Sequence, residues 1–395
     1  MQRNFDDALS SLALKLPCRR AAACLLLLLL LGILSSCHDV AAARPAPAAA
    51  ASAAGLRRRP DGAAWRPSEH LRDAGRGSRV AGLAEVKMYL ARFGYMHPSR
   101  AEHGADAFDE HTEAAVKLYQ SSLGLPVTGR LDAATVARIA SPRCGVGDGG
   151  IRGRVSVSVS VPASRFTFFG GEPRWTGPDP LVLTYSVSPV PAAAGGHHRL
   201  SPEAVRAAVR SAFARWARVI PVEFVEAGGD DHHPDIRVRF YEGDHGDGWP
   251  FDGQGGVLGH AYPPEDGRLH LDAAEHWTVD VDKETTASLA AAVDLESVAT
   301  HEIGHILGLD HSSSPEAIMY PYIQFGERKV ELSMDDIDGA QLLYGSNPRF
   351  SRHEPHAPAP PRRSDPSPSA SPGRESWLSG PVSLLCVVLA MLVTL

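Results

Sequence analysis

The segment from His301 to His311 constrains this chain more than any other feature, because it reads His-Glu-Ile-Gly-His-Ile-Leu-Gly-Leu-Asp-His. On a helix, residues four apart lie about 40° apart and about 6 Å along the axis, so His301 and His305 share a face. Two imidazoles in that relation can bind one zinc ion. His311 would lie about 9 Å further along a continued helix, which is too far. We therefore predict that the helix ends near Gly308, where a left-handed turn returns His311 as third ligand.

A zinc ion held by three histidines keeps one coordination position open, which is typical of catalytic rather than structural sites. Glu302 follows the first histidine, so its carboxylate would lie beside the ion and not on it. Zinc acidifies water, and Glu302 could accept the proton as that water attacks a peptide carbonyl. The alternative for a His-Glu-x-x-His pattern is an amphipathic helix with satisfied histidines. The added Gly308 and His311 at fixed offsets favour the zinc site.

Both ends of the chain are typical of targeting segments and not of a fold. Residues 1–43 have the layout of a secretory signal peptide, with two arginines before an apolar run at 21–36 and small residues at 41–43. A signal anchor is the alternative, but the run is short for a membrane span. Residues 370–395 combine small residues, a polar spacer and an apolar terminus, which indicates a GPI-attachment signal. A loose apolar terminus or a short tail anchor remains open.

The composition excludes several classes of protein. With a formal net charge of −7 and 44% hydrophobic residues, the chain is neither a disordered polyanion nor a basic nucleic-acid binder. Four of its five cysteines fall in the segments that we expect to be removed, namely Cys18, Cys24, Cys37 and Cys386. Cys144 would then have no disulfide partner in a secreted protein, so it needs another role, such as binding a metal as thiolate.

Between its ends the sequence divides into two globular blocks. Apolar residues at three-to-four spacing, interrupted by glycine and proline, predict about three helices in residues 78–140. Strand patterns followed by interspersed helices predict one α+β domain in residues 166–346. The predicted order is signal peptide 1–43, linker 44–77, helical block 78–140, connector 141–165, α+β domain 166–346, proline-rich stalk 347–369 and attachment signal 370–395.

The α+β block carries recognisable strand and helix signals. Its predicted strands are Leu181–Val187, Val222–Val225, Ile236–Phe240, Val257–Tyr262 and Leu269–Leu271. Its predicted helices are one that begins at Ser201-Pro202, one over Leu289–Leu307 and one over Ser333–Tyr344, with Ser333 as N-cap and Asp336 at the third helical position.

The pattern HExxHxxGxxH resembles the zinc motif of the metzincin clan, and Ser312 directly after the third histidine resembles the matrixins within that clan. The resemblance implies a metzincin-like domain with a twisted, mostly parallel sheet and three helices, preceded by a small three-helix prodomain. Ala317–Pro321 resembles the Met-turn, in which Met319 would underlie the three imidazoles. Tyr320, Pro321 and Tyr322 would then form the wall of the S1′ pocket.

Residues Pro142–Asp148 resemble the matrixin cysteine switch. In that resemblance the Cys144 thiolate fills the open zinc position and keeps the proenzyme latent, and Arg143 and Asp148 form an ion pair. Gly147 stands where the family usually has proline. Because glycine widens the unfolded ensemble, latency would be weaker by about 0.4–1 kcal/mol, so the sequence predicts a leakier zymogen.

Two further metal sites are implied by the same resemblance. The structural zinc would be bound by His245, Asp247, His260 and His270. A calcium site would be formed by Asp252, Gly253, Gly255, Val257, Asp272 and Glu275. A second calcium site is not expected, because Arg268 stands where an aspartate ligand would be.

The helical block resembles the peptidoglycan-binding-like fold of matrixin prodomains, and the whole resembles plant-type matrixins without a hemopexin domain. The expected protein is a secreted zinc endopeptidase of extracellular polypeptides, tethered to the outer face of the plasma membrane by a GPI anchor or lying in the extracellular matrix. We expect a monomer that binds no nucleic acid. The alternatives are a cell-wall glycan-binding surface protein with a silent protease-like domain, and a purely structural surface protein.

Overall fold

The computed structural model describes residues 64–102, 104, 106–149, 165–190, 200–228 and 233–351, and all but Ser351 belong to a compact unit that ends at Phe350. The predicted signal peptide and attachment signal, most of the stalk, and residues 150–164 of the connector lie outside the described residues, as do Cys18, Cys24, Cys37 and Cys386. Among the residues described, no helix has both the length and the apolar character needed to cross a bilayer.

The described part of the chain begins with four α-helices, and strands interspersed with helices follow. The helices are α1 (Leu83–Arg92), α2 (Pro98–Ala101), α3 (Glu110–Ser122), α4 (Ala133–Ile139), α5 (Pro202–Val219), α6 (Thr286–Leu289), α7 (Leu295–Ile306) and α8 (Met334–Tyr344). The strands are β1 (Arg143–Cys144), β2 (Thr167–Phe168), β3 (Leu181–Val187), β4 (Val222–Glu226), β5 (Ile236–Tyr241), β6 (Val257–Ala261), β7 (Arg268–Asp272), β8 (His276–Thr278), β9 (Ala292–Asp294) and β10 (Leu309–Asp310). Short 3₁₀ helices cover Glu69–Leu71 and Val281–Lys283.

The helical block consists of α1, α3 and α4, with α2 as a single additional turn. Aspartates begin two of these helices: the Asp109 side chain accepts a hydrogen bond from the Thr112 amide (2.8 Å), and Asp132 accepts one from the Thr135 amide (2.9 Å). The buried faces of the helices form one apolar core that includes Leu83, Val86, Leu90, Val116, Tyr119 and Val136. The three predicted helices are therefore present.

The folded part of the chain begins at an earlier residue than the sequence predicted. The linker was expected to extend through residue 77, but Ala64, Leu71 and Ala74 are buried. The Ala64 amide donates to the Gln254 carbonyl of the α+β block at 2.9 Å. The described part of the predicted linker therefore belongs to the folded unit, because its few apolar side chains meet surfaces that are distant in sequence.

The main sheet has the strand order β1-β6-β7-β5-β3-β4. Its neighbours are parallel except for β6 and β7, which pair antiparallel with His260 opposite His270. The predicted mostly parallel sheet is thus confirmed. The edge strand β1 precedes the α+β block in sequence but pairs with β6 of that block. The connector between the two blocks therefore supplies one edge of the sheet.

Helices α5 and α7 pack together beside the sheet, and the Trp216 indole N–H donates to the Thr300 carbonyl at 2.9 Å. The prediction of a helix over Leu289–Leu307 is wrong at its start, because α7 begins at Leu295. Asp294 is its N-cap and accepts a bond from the Ser297 amide at 2.8 Å. Residues 292–294 instead pair with 276–278 as a small parallel sheet.

Candidate metal centre

Helix α7 places His301, Glu302 and His305 in the interior, each at most 1% exposed. The helix ends at Ile306, and Gly308 follows with a φ of 101°. A β-carbon at position 308 would collide with the Pro173 carbonyl, so both the backbone and the space require glycine there. The predicted turn is present, and it returns the chain to His311.

The histidine rings converge. Their candidate ligand atoms and the Cys144 sulfur all lie within 4.8 Å of one another, and all four residues are buried. The Nε2 atoms of His305 and His311 are 3.3 Å apart, and the Cys144 Sγ lies 3.5 Å from the His305 Nε2. The turn at Gly308 therefore delivers the third ring to the place that the sequence predicted.

Each ring is oriented by an oxygen at its outer nitrogen. The Nδ1 of His301 lies 2.7 Å from the Ile318 carbonyl, that of His305 lies 2.8 Å from the Leu309 carbonyl, and that of His311 lies 2.8 Å from an Asp148 oxygen. Protonated Nδ1 atoms satisfy these oxygens and leave the Nε2 lone pairs facing inward. The His301 Nε2 is buried without a hydrogen-bond partner among the described residues.

The chemistry of this donor set fits zinc. Burial lowers the pKa of His301 to about 3 and holds that of His305 well below its usual value, so both rings are neutral ligands. Three imidazole nitrogens and one thiolate match the tetrahedral nitrogen and sulfur coordination of zinc. A buried set of inward lone pairs without a cation would leave polar atoms unsatisfied, which is costly.

Glu302 lies beside this cluster and has no accessible surface. Neither of its oxygens has a hydrogen-bond partner among the described residues. The Cys144 thiol lies nearby, and the Glu302 charge acts on it. Burial raises the pKa of Glu302 to about 8. A carboxylate in this position can exchange a proton with a group at the metal.

Met319 lies beneath the helix that carries the histidines. Its thioether occupies the space where a β-carbon of Gly304 would be. The turn that contains it is held by Asp336, which accepts bonds from the amides of Ile318 (2.8 Å) and Met319 (3.0 Å). The sequence predicted Asp336 only as part of a helix cap, so its second task in fixing the Met-turn was missed.

The segment around Cys144 fills the cleft above the metal centre. The Cys144 amide donates to the Pro321 carbonyl at 2.9 Å, and the Gly145 amide donates to the Gly259 carbonyl at 2.7 Å. Strand β1 is thus inserted between β6 and the segment that follows Met319. A second chain cannot lie along that edge while β1 remains in place.

The predicted ion pair of Arg143 and Asp148 is present and buried, with 2.7 Å between Nη2 and Oδ1. Asp148 also accepts a bond from the Tyr95 hydroxyl at 2.6 Å and contacts His311. Although burial opposes ionisation, the Arg143 charge and the His311 hydrogen bond hold the pKa of Asp148 well below its usual value.

The tyrosines predicted to form the wall of the S1′ pocket pack against the helical block, which the sequence did not predict. The rings of Tyr320 and Tyr322 pack with the helical block and with Phe251 and Val257. Their neighbours Ile318 and Met319 belong instead to the core of the α+β block. Pro321 meets Cys144 through its carbonyl. In this state the tyrosines therefore face the helical block.

The second predicted zinc set also converges, with candidate ligand atoms within 4.8 Å of one another. The Oδ2 of Asp247 lies 2.8 Å from the Nε2 of His245, 2.8 Å from the Nε2 of His260 and 3.0 Å from the Nδ1 of His270. Despite burial, hydrogen bonds from the three imidazoles hold the pKa of Asp247 well below its usual value. Three nitrogens and one oxygen suit a closed zinc site.

The predicted calcium residues share one loop region but converge less tightly. Asp252, Asp272 and Glu275 are buried, yet they do not form a ligand cluster as close as the two described above. Their oxygens accept bonds from backbone amides: Asp252 from Val257 (2.8 Å), Asp272 from Gly253 (3.3 Å) and Glu275 from Gly255 (2.8 Å). Burial and the neighbouring carboxylates raise the pKa of Glu275 well above its usual value. Such a group of oxygens would gain from a hard cation.

Residues 174–345 match the family model described as Matrixin, and residues 79–139 match that of a putative peptidoglycan binding domain. The chain is 45% identical over 291 residues to Metalloendoproteinase 1-MMP of Arabidopsis thaliana, which covers 73% of this chain and 76% of the relative. The chain belongs to the matrixin family.

Other matrixin relatives agree with this assignment. Metalloendoproteinase 1 of Glycine max is 43% identical over 272 residues, with 69% of this chain and 85% of the relative covered. Matrix metalloproteinase-C of Caenorhabditis elegans is 34% identical over 284 residues, with 68% and 45% covered. As a matrixin, the protein is a zinc-dependent metalloendopeptidase whose α+β catalytic domain follows a helical prodomain.

Proposed function

We propose that the chain is a secreted, latent endopeptidase of extracellular polypeptides, in which Cys144 completes the coordination of a zinc ion held by His301, His305 and His311. The observation that carries this proposal is the convergence of three oriented imidazoles and one buried thiol. The bonds from their outer nitrogens support the ligand role of the inner nitrogens.

Zinc, when bound, supplies a Lewis acid that polarises the scissile carbonyl and acidifies water. Glu302 accepts a proton from the attacking water and delivers it to the leaving amine. Its position supports this role, because the buried carboxylate lies beside the histidines and has no hydrogen-bond partner among the described residues, which leaves both of its oxygens available for proton transfer. Met319 and Asp336 keep the histidines in place from below.

The substrate would lie extended along β6, with backbone hydrogen bonds to that strand. In the zymogen β1 occupies this edge instead, since the Arg143 amide donates to the carbonyl of Gly256, directly before β6 (2.9 Å), and the Gly145 amide donates to the carbonyl of Gly259 within β6. Activation therefore requires the departure of both the thiol and the strand. The packing of the helical block on the catalytic domain supports a covering role for it rather than glycan binding.

The other metals would hold the loops around the cleft. The set of His245, Asp247, His260 and His270 would bind a structural zinc, and the loop of Asp252, Gly253, Gly255 and Val257, with Asp272 and Glu275, would bind calcium. The prediction of an extracellular enzyme supports the calcium site, because calcium is abundant there. We further propose GPI attachment through residues 370–395 and a monomeric enzyme.

The test compares a chain that begins at Phe166, the full chain and the Glu302→Ala variant of the shorter chain on a peptide library, together with elemental analysis of each protein. We expect two zinc ions per chain, cleavage by the shorter chain alone, and loss of cleavage with zinc retained in the variant. Folded protein that contains no zinc, or equal cleavage by the Glu302→Ala variant, would contradict the proposal.

A further inference from the structure

Three tyrosine hydroxyls meet where the prodomain covers the catalytic domain. The Tyr322 hydroxyl lies 2.7 Å from that of Tyr119 in α3 and 3.0 Å from that of Tyr89 in α1. All three residues are at most 3% exposed. We refer to Tyr89, Tyr119 and Tyr322 as the tyrosine cluster. It joins two prodomain helices to a residue three positions after Met319.

Two guanidinium groups complete the contact. The Arg143 Nη1 donates to the Tyr322 hydroxyl at 3.2 Å and lies 3.4 Å from that of Tyr89. The Arg138 guanidinium of α4 lies 4.9 Å from the centre of the Tyr322 ring. The Arg143 guanidinium lies at the same distance of 4.9 Å from that ring centre, so the buried ring gains from cation–π attraction as well as from the hydrogen bonds at its hydroxyl.

The tyrosine cluster is separate from the metal ligands. No tyrosine belongs to the set of Cys144 and the three histidines. Removing a partner from this buried network costs at least the net contribution of the lost hydrogen bond, and it costs more where a hydroxyl is left without a partner, as the Tyr119 hydroxyl is when Tyr322 is changed to phenylalanine. Once the prodomain has left, water can satisfy the Tyr322 hydroxyl, so the cost applies to the closed zymogen alone.

We propose that the tyrosine cluster is an autoinhibitory latch that holds the prodomain over the cleft independently of the bond between Cys144 and the metal. The inference rests on the proposed latency of the chain but not on its peptidase activity. The latch keeps the cleft covered during intervals in which the thiol is detached. Opening of the zymogen then requires two separate contacts to break.

The experiment measures alkylation of Cys144 by iodoacetamide in the full chain, followed by mass spectrometry of the peptide that contains Cys144. This side chain has no accessible surface, so alkylation requires opening. Tyr89→Phe and Tyr119→Phe leave the sequence of the catalytic domain unchanged. Each rate is measured with the protein as purified and again with a chelator, which removes the contribution of the metal bond.

We expect Tyr89→Phe, Tyr119→Phe and Tyr322→Phe each to raise the alkylation rate about tenfold, with and without chelator. The alkylation rate of the Tyr119→Phe/Tyr322→Phe double variant should exceed that of either of its single variants by less than twofold, since both changes break the same contact. Tyr185→Phe is the matched control, because Tyr185 lies in the catalytic core, stacked on Phe213 with 4.3 Å between ring centres. Its alkylation rate should stay at the wild-type value.

Wild-type alkylation rates in the Tyr89→Phe and Tyr119→Phe proteins, under both conditions, would overturn the latch. These two variants decide the question even if Tyr322→Phe does not fold. A chain without peptidase activity would still show the altered rates, whereas a chain without a latch would still cleave peptides after removal of the prodomain. The two failures are therefore distinguishable.

Discussion

The carboxylate of Asp148 is hydrogen-bonded to the outer nitrogen of His311, with 2.8 Å between Oδ1 and Nδ1 across 163 positions of sequence. The same oxygen binds Arg143, and the other oxygen accepts the Tyr95 hydroxyl. The propeptide therefore contacts the metal centre twice, once through the Cys144 thiol and once through a carboxylate that orients a histidine ligand.

Replacement of Asp148 by alanine should release the zymogen. The change leaves the Arg143 guanidinium buried without its carboxylate, at a cost of about 3–5 kcal/mol in a typical protein interior. We expect higher basal peptidase activity in the full chain and unchanged activity in the chain that begins at Phe166. The exposed Asp106 provides the control as Asp106→Ala. Equal basal activity of wild type and Asp148→Ala would show that the buried ion pair of Arg143 and Asp148 is not needed for latency.

The contact between Gly304 and Met319 predicts a stability change with an informative sign. In an open helix interior, replacing glycine with alanine adds about 1 kcal/mol of stability. Here the new β-carbon would overlap the Met319 thioether and lie 3.1 Å from the Trp216 ring. Overpacking of this kind costs about 1–3 kcal/mol. Gly304→Ala should therefore lower the urea midpoint and the zinc content of the catalytic domain.

Gly170→Ala is the matched control for that measurement. Position 170 is exposed, and an added β-carbon there meets no atom within 4 Å. Its urea midpoint should stay within the usual range of surface substitutions. A stabilised Gly304→Ala protein would mean that Met319 adjusts without disturbing the histidines.

Local patterns were sufficient to place the three histidines and the turn at Gly308, since helical geometry alone limits which residues can share one ion. They failed at the start of α7. The apolar residues before Asp294 fit a helical pattern, and the pairing of 292–294 with 276–278 that ends this pattern is a long-range contact. Single-sequence periodicity carries no information on such a pairing.

The tyrosine cluster could not have been predicted from the sequence either. Tyr89 and Tyr119 fit the apolar face of amphipathic helices, and both do pack in the prodomain core. The position of their hydroxyls depends on how the prodomain docks. The contact with Tyr322 spans 233 and 203 positions, and the residues themselves offer no spacing rule for it.

Asp247→Asn should remove the structural zinc and leave the catalytic one. An asparagine cannot supply the negative charge that three imidazoles share with the metal. We expect elemental analysis to fall from two zinc ions to one per chain, together with a lower melting temperature. Asp244→Asn, at an exposed position in the same loop, should retain both ions. Two ions in the Asp247→Asn protein would exclude this residue as a ligand.

Acid should loosen helices α3 and α4 of the prodomain before helix α8 of the catalytic domain. Although burial opposes it, bonds from Thr112 lower the pKa of Asp109, and bonds from Thr128 and Thr135 lower that of Asp132. A carboxyl whose pKa is lower in the folded than in the unfolded state stabilises the fold at pH values above its unfolded-state pKa, which is near 4. This stability is lost as the pH falls through the folded-state pKa.

For Asp336 of α8 the effect of pH on stability has the opposite sign. Burial raises the pKa of this carboxyl, so its protonation favours the folded state. Hydrogen exchange, corrected for the intrinsic rate, should therefore show that α3 and α4 lose protection between pH 5 and pH 3 before α8 does. Asp132→Asn keeps a good N-cap but does not titrate, so α4 should lose less protection in that variant. Simultaneous loss in all three helices would contradict the assignment.

Gly147→Pro should strengthen latency. The φ of Gly147 lies outside the left-handed region, and the nearest atoms to an added β-carbon are the Arg92 and Phe93 carbonyl oxygens at 3.9 Å, an ordinary contact. Because a β-carbon at this position meets no close contact, we expect proline to restrict the open loop and to favour the closed form by about 0.4–1 kcal/mol. We therefore expect the basal peptidase activity of the full chain to decrease about two- to fivefold. The activity of each full chain is expressed relative to that of the chain that begins at Phe166. The chain that begins at Phe166 lacks position 147 and is therefore a common reference for both proteins. Equal basal activities would mean that the flexibility of glycine at this position does not weaken latency.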